Sequence, residues 1–130
     1  MTARRPPLPT DAELQILRVL WARGASTVRA VQSALGGAER TGYTTVLKLL
    51  QVMHGKRLVR RDERERTHIY EAAIPAEDTQ RRLVSDLAER AFGGSAARLA
   101  MRALSSAPAS ADELRAVRTL LDRLEREGDA

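Results

Sequence analysis

Leu14, Leu17, Leu20 and Trp21 recur at helical spacing along the first amphipathic stretch of the chain. Just ahead of them, Thr10-Asp-Ala-Glu13 has the form of a capping box, in which the Thr10 hydroxyl accepts the N–H three residues on and Glu13 reaches back. A helix is predicted from there to a stop at Gly24. Ser26 or Thr27 can cap a second, shorter helix, whose Val28, Val31 and Leu35 share a face before Gly36-Gly37 ends it. A third begins near Thr41–Thr44 and runs to about His54. On a wheel of about 100° per residue, Tyr43, Val46, Leu47, Leu50 and Met53 gather on its inner side, while Thr44, Thr45, Lys48 and Val52 point away. Amphipathic helices so closely joined predict a helix-turn-helix arrangement.

The period then changes. Leu58–Asp62 and Thr67–Glu71, the latter including His68, read as short strands, and Glu63-Arg-Glu-Arg66 between them reads as a charged hairpin tip. A hairpin directly after a third helix makes a winged helix. Beyond Pro75, Leu83, Val84, Leu87, Ala88 and Ala91 define another helix, which Gly93-Gly94 separates from an Ala-rich one carrying Leu99, Met101 and Leu104. Ser110-Ala-Asp-Glu113 is a second capping box, followed by Leu114, Val117, Leu121 and Leu124 at the spacing of a heptad seam. The predicted fold is mainly α with a small β-hairpin wing: a lead-in over 1–9, a winged helix-turn-helix domain over 10–75 and a helical lobe over 76–130. Three amphipathic helices have too little surface to bury a stable core alone, so Leu83, Leu87, Leu99, Leu114, Val117, Leu121 and Leu124 are candidate dimerisation residues. Packing within one chain is the plainer alternative.

Charge sharpens this picture. Residues 1–75 carry 13 Lys+Arg and 7 Asp+Glu, whereas 76–130 carry 9 and 10, so the net charge of +5 comes from the first part. Arg40 to Arg66 alone holds eight basic residues against Asp62, Glu63 and Glu65. A positive field so localised favours a polyanion, and double-stranded DNA fits a winged helix; a solvated charged surface is the bland reading. The polar start of the third helix suits a major groove, where short hydroxyls and a lysine reach base edges and phosphates. Arginines at a wing tip suit the sugar-phosphate backbone. The candidate DNA-binding residues are therefore Arg40, Thr41, Thr44, Thr45, Lys48, Arg64 and Arg66.

Other chemistry finds little footing. With no Cys there is no disulfide scaffold, thiolate zinc site or cysteine nucleophile, and neither His54 nor His68 has a second ligand at metal spacing, so no metal or cofactor is expected. His54 is expected on the inner side of its helix. No glycine-rich phosphate loop and no recognisable Ser/His/Asp order points to an enzyme. No apolar run approaches the roughly 20 residues that span a bilayer, and Met1–Thr10 lacks the apolar stretch of a secretory signal, so the chain is read as soluble and cytoplasmic. A winged-helix protein-interaction module without DNA binding is the competing reading, since the fold serves both roles.

Gly42-Tyr-Thr-Thr-Val-Leu-Lys-Leu-Leu50, then Lys56, Leu58-Val-Arg-Arg61, Arg66 and Tyr70, resembles the penicillinase repressors, the BlaI/MecI/CopY family of bacterial transcriptional regulators. Leu8–Trp21 and Phe92-Gly-Gly-Ser95 look similar too, and the resemblance spans roughly residues 8–125. It implies a homodimeric repressor on a palindromic operator, with Thr44, Thr45 and Lys48 matching the recognition-helix face and Arg66 the family's wing arginine. It also implies, as in the best-studied relatives, a membrane metalloprotease sensor whose signal leads to cleavage of the dimerisation lobe, here near Met101-Arg-Ala103, without the Asn-Phe pair of some members. A chain without Cys cannot use the cysteines of the copper-responsive branch. Arg57 stands where members commonly have Gly after the lysine, and Gly55 is expected to relieve the turn instead.

Overall fold

Thr10 opens α1 (Asp11–Arg23): its Oγ1 accepts from the Glu13 N–H at 3.2 Å, and Glu13 Oε1 accepts from the Thr10 N–H at 2.9 Å. The computed structural model describes residues 5–129, so the start of the expected lead-in, residues 1–4, lies outside them. α1 ends at Gly24, whose N–H makes the last helical bond, to the Leu20 carbonyl at 2.8 Å, and whose φ of +83° turns the chain out of the helix. Two residues later the chain forms β1 (Ser26–Thr27) and enters α2 (Val28–Ala34). β1 is absent from the sequence-based prediction. Its residues read only as helix caps, yet an N-cap is extended by nature, and Thr27 (φ −77°, ψ 165°) both pairs in the sheet and caps α2 by accepting from the Ala30 N–H at 3.1 Å.

α3 (Tyr43–Gly55) leads into β2 (Val59–Asp62) and β3 (Ile69–Ala72). The three strands form an antiparallel sheet in the order β1-β3-β2, with Arg60 opposite Glu71, Arg61 opposite Tyr70 and Asp62 opposite Ile69. The hairpin is shorter in its strands and longer in its loop than its β-propensity predicts. His68 lies in that loop rather than in a strand, because pairing begins only at Ile69, where Asp62 ends β2.

Ile16, Leu17 and Leu20 of α1, Val28 and Val31 of α2, and Val46, Leu50 and Met53 of α3 close over Leu58, Val59 and Tyr70 to form one buried core. Each large apolar side chain so buried contributes about 1.5–3 kcal/mol, which fixes α3 to the lobe by its inner face. Tyr43, expected on that face, is exposed, because as the first residue of α3 it stands at the rim of the core. Trp21 Nε1 donates to the Ile74 carbonyl at 2.9 Å and ties the chain leaving the sheet to α1.

The turn after α3 differs from expectation. Gly55 remains helical, and Arg57 itself takes the left-handed conformation at φ +66°. Its N–H bonds to the His54 carbonyl at 3.1 Å, the Leu58 N–H bonds to the Met53 carbonyl at 2.9 Å, and Leu58 and Met53 are both buried. This is a Schellman closure with Lys56 as the C-cap, and its geometry assigns the positive φ to the residue after that cap, Arg57, wherever the nearest glycine lies.

α4 (Ala76–Ala91), α5 (Ala96–Ser106) and α6 (Ala111–Gly128) follow, and the chain divides into two compact units between Leu83 and Val84, inside α4. Ser110 caps α6 reciprocally with Glu113, at 3.0 Å in both directions. Within the second unit Ala88 is buried, but α5 and α6 bury no side chain at all. Val84, Leu87, Met101, Leu104, Leu114, Leu120, Leu121 and Leu124 are exposed, from 37% at Leu114 to 63% at Met101, while Leu99 and Val117 are half-buried.

Candidate nucleic-acid interface

α3 is apolar on one side and open on the other. Val46, Leu50 and Met53 are fully buried, and this holds Thr44, Thr45 and Lys48 outward on a single exposed surface. Gly42 precedes the helix as N-cap with no side-chain hydrogen bond of its own. The approach to α3 is instead organised from α2. Buried Gln32 donates Nε2 to the Thr41 carbonyl at 3.1 Å and accepts at Oε1 from Arg29 Nη1 at 3.1 Å. The Arg29 guanidinium stacks 4.6 Å from the centre of the Tyr43 ring, a cation–π contact that places a positive charge beside the first turn of α3. Arg40 is exposed, and its stem packs on Gly36: a Cβ there would come within 2.6 Å of Arg40 Cγ.

Beside Thr44, Thr45 and Lys48 runs an open groove of about 450 Å³, completed by Ala12, Leu49 and Val52. Hydroxyls and an ammonium at the edge of an apolar trough can take hydrogen bonds and a methyl side by side, which is what the major-groove edge of an A·T pair presents. The periodicity that turns Val52 outward also exposes this trough.

Charge is distributed differently from what a count of residues implies. Lys56 is held by Glu13, Arg60 by Glu71 at 3.0 Å, Arg61 by Glu63, and Arg64 by Asp62. Among the described residues Arg40, Lys48 and Arg66 form no ion pair. Asp62 is the most strongly perturbed acid: the Arg64 side chain and backbone N–H lower its pKa to about 2. Arg61 is held above its usual pKa by the Tyr70 oxygen beside it and by Glu63, although Arg61 Nε and the buried Tyr70 hydroxyl make no hydrogen bond of normal geometry. Thr44, Thr45 and Lys48 thus lie together on α3, with Arg40 and Thr41 on the loop before it, whereas Arg64 and Arg66 lie apart on the hairpin loop. No group of three or more His, Cys, Asp or Glu side chains gathers as a metal ion requires, among the described residues.

The family model described as penicillinase repressor matches residues 9–123, nearly the whole length of this chain. The chain belongs to the penicillinase repressor family. It is accordingly a DNA-binding transcriptional repressor with a winged-helix fold, and its family is one of regulators rather than enzymes. A search of curated proteins returned no match. No described helix of the repressor is long and apolar enough to cross a membrane. Two features of this repressor are missing from the expectations drawn from its sequence. Arg29 and Tyr43 are brought together only by the packing of α2 on α3, for which the sequence holds no local signal. The pairing of wing arginines with acids does have one, in the alternating signs of Arg60-Arg-Asp-Glu-Arg-Glu-Arg66.

Proposed function

We propose that the repressor binds a palindromic operator in double-stranded DNA as a homodimer. Thr44, Thr45 and Lys48 face the bases in the major groove, Arg40 and Thr41 flank the approach, and Arg64 and Arg66 lie over the backbone. The helices from Ala76 onward join the two copies in the cytoplasm. The observation that carries this reading is the two-sidedness of α3, whose Thr44–Lys48 surface is exposed because Val46, Leu50 and Met53 are buried behind it. In support of dimerisation, α5 and α6 leave Met101, Leu104, Leu114, Leu121 and Leu124 uncovered in the single chain. Derepression proceeds by cleavage near Met101–Ala103 under a membrane metalloprotease sensor. These residues are exposed but lie mid-way along α5, so a protease must first unwind it; a helix that buries no side chain within its own chain opposes that weakly.

A mobility-shift titration against duplexes selected from a random pool tests the reading. The expected result is one symmetric site bound by two chains, with log affinity falling by roughly 0.9 per neutralised phosphate as log salt rises. An absence of duplex binding at low salt overturns it in favour of a protein-interaction module.

A further inference from the structure

Four contacts join Asp62 to Arg64. Arg64 Nε lies 3.1 Å from both Oδ1 and Oδ2, Nη2 lies 2.7 Å from Oδ2, and the Arg64 backbone N–H reaches Oδ1 at 3.0 Å. A guanidinium uses the same two-pronged approach on a phosphate. We propose that Asp62 is an internal phosphate surrogate, a specificity-determining residue that keeps Arg64 off DNA backbone of arbitrary sequence. The inference rests on the DNA-binding reading above and adds to it a brake on sequence-independent affinity.

Three observations support it. The partners are two residues apart, so the clamp forms locally, from the end of β2 and the loop that follows it. The Arg64 side chain is 88% exposed, which leaves the clamp in solvent, where ion pairs exchange at small cost. The hairpin repeats the device: Arg60 is taken by Glu71, its partner across the ladder, and Arg61 by Glu63, which leaves Arg66 as the hairpin arginine in no ion pair among the described residues. Each arginine so held presents a neutral pair to a passing polyanion. Arg64 holds the Asp62 pKa down at about 2, so near neutral pH the carboxylate is charged and able to pair.

The test is a double-mutant cycle read on a random-sequence DNA duplex of about 30 base pairs, roughly three helical turns, by fluorescence anisotropy across a salt series. Asp62→Asn is expected to tighten binding severalfold, up to about eightfold per wing at 0.1 M salt, and to steepen the salt slope by about 0.9 per wing, the signature of one more phosphate neutralised. Arg64→Ala alone is expected to weaken binding, since Arg64 lies over the backbone in the reading above, but by less than the same substitution does in the Asp62→Asn background. The double variant Asp62→Asn/Arg64→Ala should match Arg64→Ala alone, because the gain requires the freed arginine. Glu65→Gln removes one negative charge from the same loop without releasing Arg64, and should give less than half the effect. A gain that persists in the Arg64→Ala background, or an equal gain from Glu65→Gln, overturns the clamp in favour of plain net charge while leaving DNA binding intact. A wild-type protein that binds no duplex overturns both the clamp and the reading beneath it.

Discussion

Lys56 Nζ reaches Glu13 Oε2 at 2.8 Å, joining the residue that caps the C-terminus of α3 to one in the first turn of α1, 43 positions earlier. Glu13 is 2% exposed, and its other oxygen accepts from the Thr10 N–H. Burial pushes its carboxyl pKa up, but Lys56 and Thr10 together outweigh burial and hold the pKa below its ordinary value. The pair therefore fixes both the start of α1 and the end of α3.

Because the folded pKa of Glu13 lies below the unfolded one, its contribution to stability is complete above the ordinary carboxylate range and is lost as pH falls through the folded pKa. Lys56→Met removes the opposing charge and leaves burial dominant. The variant is expected to lose about 1–3 kcal/mol near neutral pH, the cost of an unsatisfied buried acceptor, with the gap to wild type closing as Glu13 protonates. Urea midpoints measured near neutrality and in mild acid check this, and a gap independent of pH contradicts the role given to Glu13.

Arg57 holds a positive φ that costs a side-chain-bearing residue about 1–2 kcal/mol. Glycine removes that cost and gives back part of it through a freer unfolded chain. Arg57→Gly is thus expected to raise stability by up to about 1 kcal/mol, read as a higher thermal midpoint. Gly55→Ala, inside the helix, should stabilise by a similar amount because no Cβ contact arises there. A destabilised Arg57→Gly protein would mean that contacts of the arginine outweigh its backbone strain.

Both capping boxes, the three helices of the winged domain and the outward face of α3 are legible in the sequence because each depends on residues within one or two turns of one another. Thr10 with Glu13 and Ser110 with Glu113 form as spaced. What escapes is set by packing or by backbone geometry. β1 needs β3 beside it before Ser26 and Thr27 become a strand. Ile16 is buried and Leu14 only half so, which centres the buried stripe of α1 on Ile16, Leu17 and Leu20. Thr44, Thr45 and Lys48 are legible as one outward face of α3, but the pairing of Arg64 with Asp62 makes that arginine a different object from Arg66, and counting charges treats the two alike.

Lys48→Ala and Arg66→Ala separate reading from holding. Lys48 stands on the outer face of α3 beside the apolar groove, so its loss is expected to change which base pairs are preferred at the centre of each half-site, at about 1–3 kcal/mol for the affected position. Arg66, exposed on the hairpin loop, should weaken all duplexes alike and flatten the salt slope by about 0.9 per wing. Selection of bound sequences from a random pool with each variant is the measurement. A changed preference from Arg66→Ala and none from Lys48→Ala would exchange the two roles.

Leu121→Asp tests the pairing of copies through α6. In the single chain Leu121 is 51% exposed and belongs to an α6 that buries no side chain, so an aspartate there costs a monomer little. Its position on the Leu114, Val117, Leu121, Leu124 seam makes it an interface residue if two α6 helices meet. A two-fold axis then buries the new carboxylate once in each copy. At about 2 kcal/mol or more for each unpartnered charge, the dimer weakens by roughly a thousandfold. The first unit has its own core of Ile16, Leu50, Met53 and Tyr70 and should keep its thermal midpoint. Sedimentation and binding to the full symmetric site, run on the same preparation, are expected to show a monomer whose affinity falls toward that of a single reading head, since the effective concentration supplied by the joined partner is lost. A Leu121→Asp protein that remains dimeric would move the interface off this seam, and a monomer that binds the full site as tightly as wild type would separate dimerisation from repression.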